Sequence, residues 1–399
     1  MDDWQTARTE RRRGAGGRNA CRGHGAAGYR AGHPQRADRL PARRGARRAL
    51  SCRRSLRMSW RHGLAAAVLL LAGGCESIGY YRQVIEGHLG VMASARPIDA
   101  WLADPSTSPA LRERLETARR IRQYASRELG LPDNGSYLSY ADLGRPFAVW
   151  NVFAAEEFSV EPKKECFPFA GCVSYRGFFS EEEARRHAVQ LRAAGYDVHV
   201  AGVAAYSTLG WFDDPLLSSF ILYSDAQLAR LIFHELAHQV VYASGDSTFN
   251  ESFAVVIEEE GVRRWLEAEG RSAELAAFRA AQARRREFAA GVEAARERLK
   301  SIYSGSLSKE GMLELKRGEF ARLRAEYGAI VPAEPNNAFL ASISLYTQLV
   351  PQFERLLAES GSLETFYLRV RELAATKAEY RRFSGTQDGR TAGRTRPSG

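Results

Sequence analysis

Residues 228–241 read LARLIFHELAHQVV, and this stretch constrains the chain more than any other. Leu228, Leu231, Ile232, Phe233, Leu236, Val240 and Val241 make a helix that is apolar over nearly its whole circumference, and such a helix is buried. His234 and His238 are four residues apart and so project from one face, with Glu235 beside them. Burying two imidazoles and a carboxylate without partners costs several kcal/mol. A divalent metal satisfies all three groups at once. The pattern is H-E-x-x-H, two nitrogen ligands with the Glu as general base. The competing reading is a pair of core histidines satisfied by ordinary hydrogen bonds.

A catalytic zinc takes three protein ligands and leaves a fourth position open. Downstream, YASGDSTF supplies a turn centred on Gly245 and Asp246, and a second helix is expected to begin near Asn250. Glu251, in its first turn, can face back onto the first helix and is the expected third ligand. Glu258 lies seven residues further on the same face and is the expected carboxylate that orients a ligating His. Glu259 and Glu260 read as solvated helix surface.

Charge separates the ends from the body. The chain of 399 residues carries +10, but residues 1–57 hold 16 Arg and only four acidic groups, so the remainder is close to −2. The Arg/Gly/Ala-rich leader shows no apolar period and is expected to lie outside the fold, with a fresh start at Met58. No nucleic-acid partner is therefore expected from the net charge. After Met58 come Arg61, an apolar run over 64–71, and the small residues Ala72, Gly73 and Gly74 before Cys75. The run is too short to span a bilayer and suits an export signal over 58–74. Small residues before a Cys resemble the lipobox of bacterial lipoproteins, although Ala72 stands where Leu is usual. This implies acylation of Cys75 and a lipid-anchored, periplasm-facing location in the bacterial cell envelope, with the membrane as a partner. In an exported protein, Cys166 and Cys172 of CFPFAGC are expected to form a disulfide. A metal site built on these two thiols is the weaker alternative.

Along the body, 75–145 reads as mainly helical, with a helix entered at Ser108-Pro109 and closed at Gly130. Residues 147–160 and 197–207 read as strands flanking a helix over 181–196. Helices are expected over 226–243, from near Asn250 through 301, and over 308–327, 336–359 and 362–383. The cluster Arg284–Arg286 reads as a solvated face. Residues 386–399 read as a disordered tail. The order gives an α+β fold in which a small mixed sheet packs on the H-E-x-x-H helix, with a helical C-terminal region and a catalytic domain over 146–385.

The segments SIGYYRQVIEGHLGVM, CFPFAGCVSYRGFF, AYSTLGWFDDPLLSSF, FHELAHQ, FNESFA and NNAFLASISLY resemble a bacterial family of predicted aminopeptidases over about residues 76–385. FHELAHQ followed by FNESFA is similar to the gluzincin metallopeptidases. The resemblance implies a zincin-like catalytic unit and one Zn2+ held by His234, His238 and Glu251. It implies Glu235 as base and a peptide as substrate. Tyr346, in a matching segment, is the candidate donor to the oxyanion, with a core aromatic as the alternative. Asn336 and Asn337 read as substrate-binding amides or as the cap of the next helix. A strand at GVAAY (202–206) could align a peptide by β-addition, presenting Tyr206 and Ser207. Asp213 or Asp214 could hold the free α-amine. The best-known gluzincin aminopeptidases use a G-x-M-E-N strand for that purpose. GVAAY stands in its place and carries no acid, so an envelope endopeptidase or maturation protease is the alternative. A non-catalytic lipoprotein scaffold that keeps the fold is a third reading.

Overall fold

The computed structural model describes residues 79–167, 171–376 and 383–384, all within one unit. The leader, the export segment with Cys75 and the tail after 385 lie outside the described residues. The N-terminal part is helical as its pattern requires, but in three pieces. Helix α1 covers 79–94, α2 Ile98–Ala103 and α3 Pro109–Leu129. Ser108 caps α3 by accepting from the Leu111 N–H at 3.3 Å, and Gly130 ends it.

Strand β1 (Arg96–Pro97), β2 (Ser139–Ala141) and, later, β8 (Leu216–Leu217) form one three-stranded sheet with antiparallel and parallel pairs. A second sheet has the order β6 (Arg176–Phe178), β3 (Val149–Glu156), β7 (Tyr196–Val203) and is wholly antiparallel. Strand β3 is buried on both faces. Trp150, Val152 and Ala154 meet Ala184, Ala188 and Leu191 of helix α4 (Glu181–Ala193). The alternate residues Val149 and Phe153 point the other way, as the two-residue period demands. Between β3 and β6 lies a hairpin of β4 (Glu165–Phe167) and β5 (Gly171–Val173), in which Cys166 and Cys172 face each other and are joined by a disulfide.

Seven helices complete the C-terminal half among the described residues: α5 Asp225–Val240, α6 Ser247–Ala268, α7 Ser272–Tyr303, α8 Lys309–Tyr327, α9 Asn337–Ser344, α10 Val350–Ser360 and α11 Leu363–Ala375. The expected single helix over 336–359 is broken, because residues 345–349 form a turn that re-enters helix at Val350, with Pro351 in the first turn.

The α+β class is observed, with several small sheets. One face of β3 and β7, with Val149, Phe153 and Val203, contributes to the same core as Leu231, Ile232 and Leu236 of the H-E-x-x-H helix. Helix α5 is flanked chiefly by α6 and α3, whereas the β6–β3–β7 sheet is covered by α4 and α9. Enclosure by other helices is why α5 is apolar all round. At Gly261 of α6 an added Cβ would lie 2.7 Å from the Phe233 ring of α5 and 2.8 Å from Leu129 of α3. A second core, between α7, α8 and α9, contains Phe288, Val292, Leu299, Phe320, Leu323 and Leu340.

Candidate metal centre and its cavity

The turn between α5 and α6 is only six residues long, and side chains fix it. Asp246 caps α6 by accepting from the Phe249 N–H at 2.9 Å. Asn250 grips Ala243 twice, accepting from its N–H at 2.8 Å and donating to its carbonyl at 2.9 Å. The disulfide hairpin leans on the same turn. Gly171 sits so close that a Cβ there would come within 3.0 Å of Gly245 N and Ser244 Oγ. The two helices therefore run back along one another; α6 starts at Ser247, earlier than the expected Asn250, so Glu251 falls in its second turn, where it meets the imidazoles of α5.

The three groups converge. His234 Nε2 lies 3.3 Å from His238 Nε2 and 3.3 Å from Glu251 Oε2, and His238 Nε2 lies 3.7 Å from the same oxygen. All three residues are buried. Ligands about 2.0–2.1 Å from a tetrahedral ion are separated by about 3.3–3.4 Å, so the observed triangle has the edges of one face of such a tetrahedron. The donor chemistry, two imidazole nitrogens and one carboxylate oxygen, also suits that ion.

Behind the triangle, His234 Nδ1 is 2.8 Å from Glu258 Oε2, and Glu258 Oε1 accepts from Arg230 Nη1 at 3.0 Å. The carboxylate thus takes the Nδ1–H of His234 and leaves the Nε2 lone pair facing the triangle. Burial pushes the Glu258 carboxyl upward, but the Arg230 charge and the hydrogen bond from His234 outweigh it and hold the group below its ordinary value. Arg230 was not singled out by sequence reasoning. Its signal is a lone cation one turn before His234 in an otherwise apolar helix.

Beside the triangle opens a cavity of about 510 Å³. Its walls include His234, Glu258, Arg230 and Tyr346, with apolar surface from Leu231, Val255, Phe288, Ile343 and Val350. Tyr346 sits in the α9–α10 turn, which Ser252, next to Glu251, anchors by accepting from the Leu349 N–H at 3.2 Å. Tyr346, Phe288 and Ile343 also line a smaller cavity of about 240 Å³ against His199, Ala201 and Val203 of β7. Glu235 is fully buried next to His234 on α5.

The remaining expected site residues lie elsewhere. Tyr206 and Ser207 are enclosed and line neither cavity, a correction to their expected substrate-facing role. The Tyr206 hydroxyl is 3.1 Å from His88 Nδ1, and Ser207 Oγ accepts from the Leu209 N–H at 3.1 Å. The strand β7 ends at Val203, so of GVAAY only Gly202 and Val203 belong to it. Asp214 is also enclosed and accepts from the Thr208 N–H at 2.8 Å, while Asp213 sits against Gly135. Neither reaches the cavity, so neither can hold an amine there. Asn336 is the cap of α9, accepting from the Phe339 N–H at 3.1 Å. Asn337 ties α9 to the end of β3 by donating to the carbonyls of Glu156 and Glu157 at 3.3 and 3.0 Å. Both amides are structural, because a turn between a strand end and a helix start must satisfy its backbone groups.

Fold and site together define an α+β protein with a buried His–His–Glu donor set, drawn from consecutive helices, beside a partly apolar cavity. The chain belongs to the family described as "Putative aminopeptidase", whose model matches residues 79–384. Membership supports a peptidase. Searches of curated proteins and of solved structures found no match.

Proposed function

We propose that the protein is a zinc-dependent peptidase that removes N-terminal residues from peptides, held at the bacterial cell envelope by a lipid on Cys75. The observation that carries the reading is the triangle of His234, His238 and Glu251, of which His234 lines a cavity, in a chain of an aminopeptidase family. These three residues would hold the ion. When bound, zinc supplies Lewis acidity to a peptide carbonyl and makes a water acidic enough to deprotonate near neutral pH. Glu235 accepts that proton and returns it to the leaving amine. Glu258 keeps His234 in the tautomer that can ligate. Tyr346 donates to the carbonyl oxygen as negative charge builds on it. The apolar cavity walls receive an apolar side chain of the substrate.

The test is metal analysis together with Glu235→Gln. The expected result is one zinc per chain in both proteins, with hydrolysis of unblocked peptides lost in the variant by several orders of magnitude. Full activity in a metal-stripped protein, or in the Gln variant, would overturn the reading.

A further inference from the structure

An exopeptidase must recognise the ammonium group of its substrate, and neither Asp213 nor Asp214 can do so. Four carboxylates line the main cavity: Glu258, Glu259, Glu293 and Glu354. Three of them face arginines that also line it. Glu258 pairs with Arg230, and Glu259 and Glu354 both pair with Arg286. Glu293 differs. Its Oε2 accepts from Ser344 Oγ at 3.3 Å and lies 3.4 Å from Arg296 Nε, a residue outside the cavity lining. Its side chain is 43% exposed. One carboxylate oxygen is therefore steadied by groups outside the cavity lining, and Glu293 is the one carboxylate of this wall not paired with a lining arginine.

Its place on that wall follows from the register of two helices. Arg279 pairs with Glu267 at 3.0 Å, and Arg286, seven residues on, pairs with Glu259, eight residues back. Helices α6 and α7 therefore run antiparallel with these rungs in step. One further step of seven residues along α7 brings Glu293, on the same face, about 10 Å along the axis. Glu293 thus lies beyond Arg286 along α7, on the wall of the same cavity that His234 and Tyr346 line, while Glu259 and Glu354 are held by Arg286.

We infer that Glu293 is the anchor for the α-ammonium of the substrate and so the residue that selects free N-termini. This rests on the peptidase reading above. An ammonium placed there gains a charge-assisted hydrogen bond from a carboxylate already held by Ser344 and Arg296, while an acylated amine brings no charge to it. The anchor lies on a helix of the C-terminal half, which explains how the chain manages without an acidic residue in GVAAY.

The experiment uses the zinc-loaded full chain and two readouts. Binding of leucinol, which has no scissile bond, is compared with binding of N-acetylleucinol by calorimetry. Hydrolysis of a leucyl arylamide is compared with that of its N-acetyl form. The wild type is expected to favour the free amine in both by at least about tenfold, as suits one charge-assisted contact. Glu293→Gln should erase the preference without changing zinc content or the far-ultraviolet spectrum, and Glu293→Asp should restore part of it. A wild type with no preference for leucinol, or a Gln variant that keeps it, would overturn the assignment. Should the wild type favour leucinol through Glu293 yet hydrolyse neither arylamide, the anchor stands and the peptidase reading falls.

Discussion

Glu258 offers the sharpest test of how the metal triangle is held. Its carboxylate is 3% exposed and makes two contacts, to His234 at 2.8 Å and to Arg230 at 3.0 Å. Replacing it with Gln keeps the volume and an oxygen able to accept from His234, but removes the charge. Carboxylates that orient ligating histidines are worth about 10–100-fold in metal affinity. The expected loss is therefore about 1.4–2.7 kcal/mol of zinc binding. The Arg230 guanidinium also loses this counter-charge. Breaking a fully buried pair costs about 3–5 kcal/mol, but Arg230 keeps 21% of its side chain exposed, so solvent absorbs part of the loss and about 1–3 kcal/mol of metal-free stability should go. Zinc affinity is read by competition with a chelator of known strength, and stability by denaturant unfolding of the metal-free protein. A Gln variant whose zinc affinity lies within twofold of wild type would refute the idea that this carboxylate organises the site.

Two other substitutions probe separate links. Tyr346→Phe should lower kcat by about 10²–10³ with zinc content unchanged, the scale of losing one oxyanion donor, and an unchanged kcat would leave Tyr346 as a packing residue. Asp214→Asn addresses pH. Burial pushes the Asp214 carboxyl up to about 7, against about 3.9 in the unfolded chain. Between those values the folded state holds a proton that the unfolded state has released, so this group's contribution falls as pH rises from about 4 to about 7, by up to about 4 kcal/mol. His88, held down to about 4 by burial, acts in the opposite sense below about 6.5, so wild type and variant must be compared at each pH. The variant should gain on wild type as pH rises through that window, and a pH-independent difference in unfolding free energy would rule out a protonated Asp214.

What the sequence made legible follows from locality. The helices with caps and clean periods, such as α3 with Ser108 and Gly130, were readable because their signals lie within a few residues. So was the approach of Glu251 to His234 and His238, since a six-residue turn leaves two helices little choice but to run back along each other. The alternation of β3 gave a strand but not its partners. Its burial on both faces depends on α4 and α9, and α9 is contributed by a segment nearly two hundred residues away. Tyr206 and Asp214 were misplaced for the same reason. In sequence they adjoin a strand end and a turn, which suggests exposure, and only the packing of α1 against 204–214 encloses them. Glu293 had no signal at all, since it is one charge among many on a long helix, and only the fold puts it on the cavity wall that His234 also lines.

The contact at Gly261 carries a consequence for how such a chain tolerates change. There only a hydrogen atom fits between the Phe233 ring of α5 and Leu129 of α3. Gly261 lies about 15 Å along α6 from Glu251, while Phe233 is the immediate neighbour of His234. The pair behaves like tongs with the pivot at one end and the grip at the other. A single extra methyl at the pivot would tilt the jaws without loosening the core, and the defect would surface as poor retention of the ion in a protein that otherwise folds. Lost activity in natural variants of this chain can therefore originate at a position that never approaches the reacting groups.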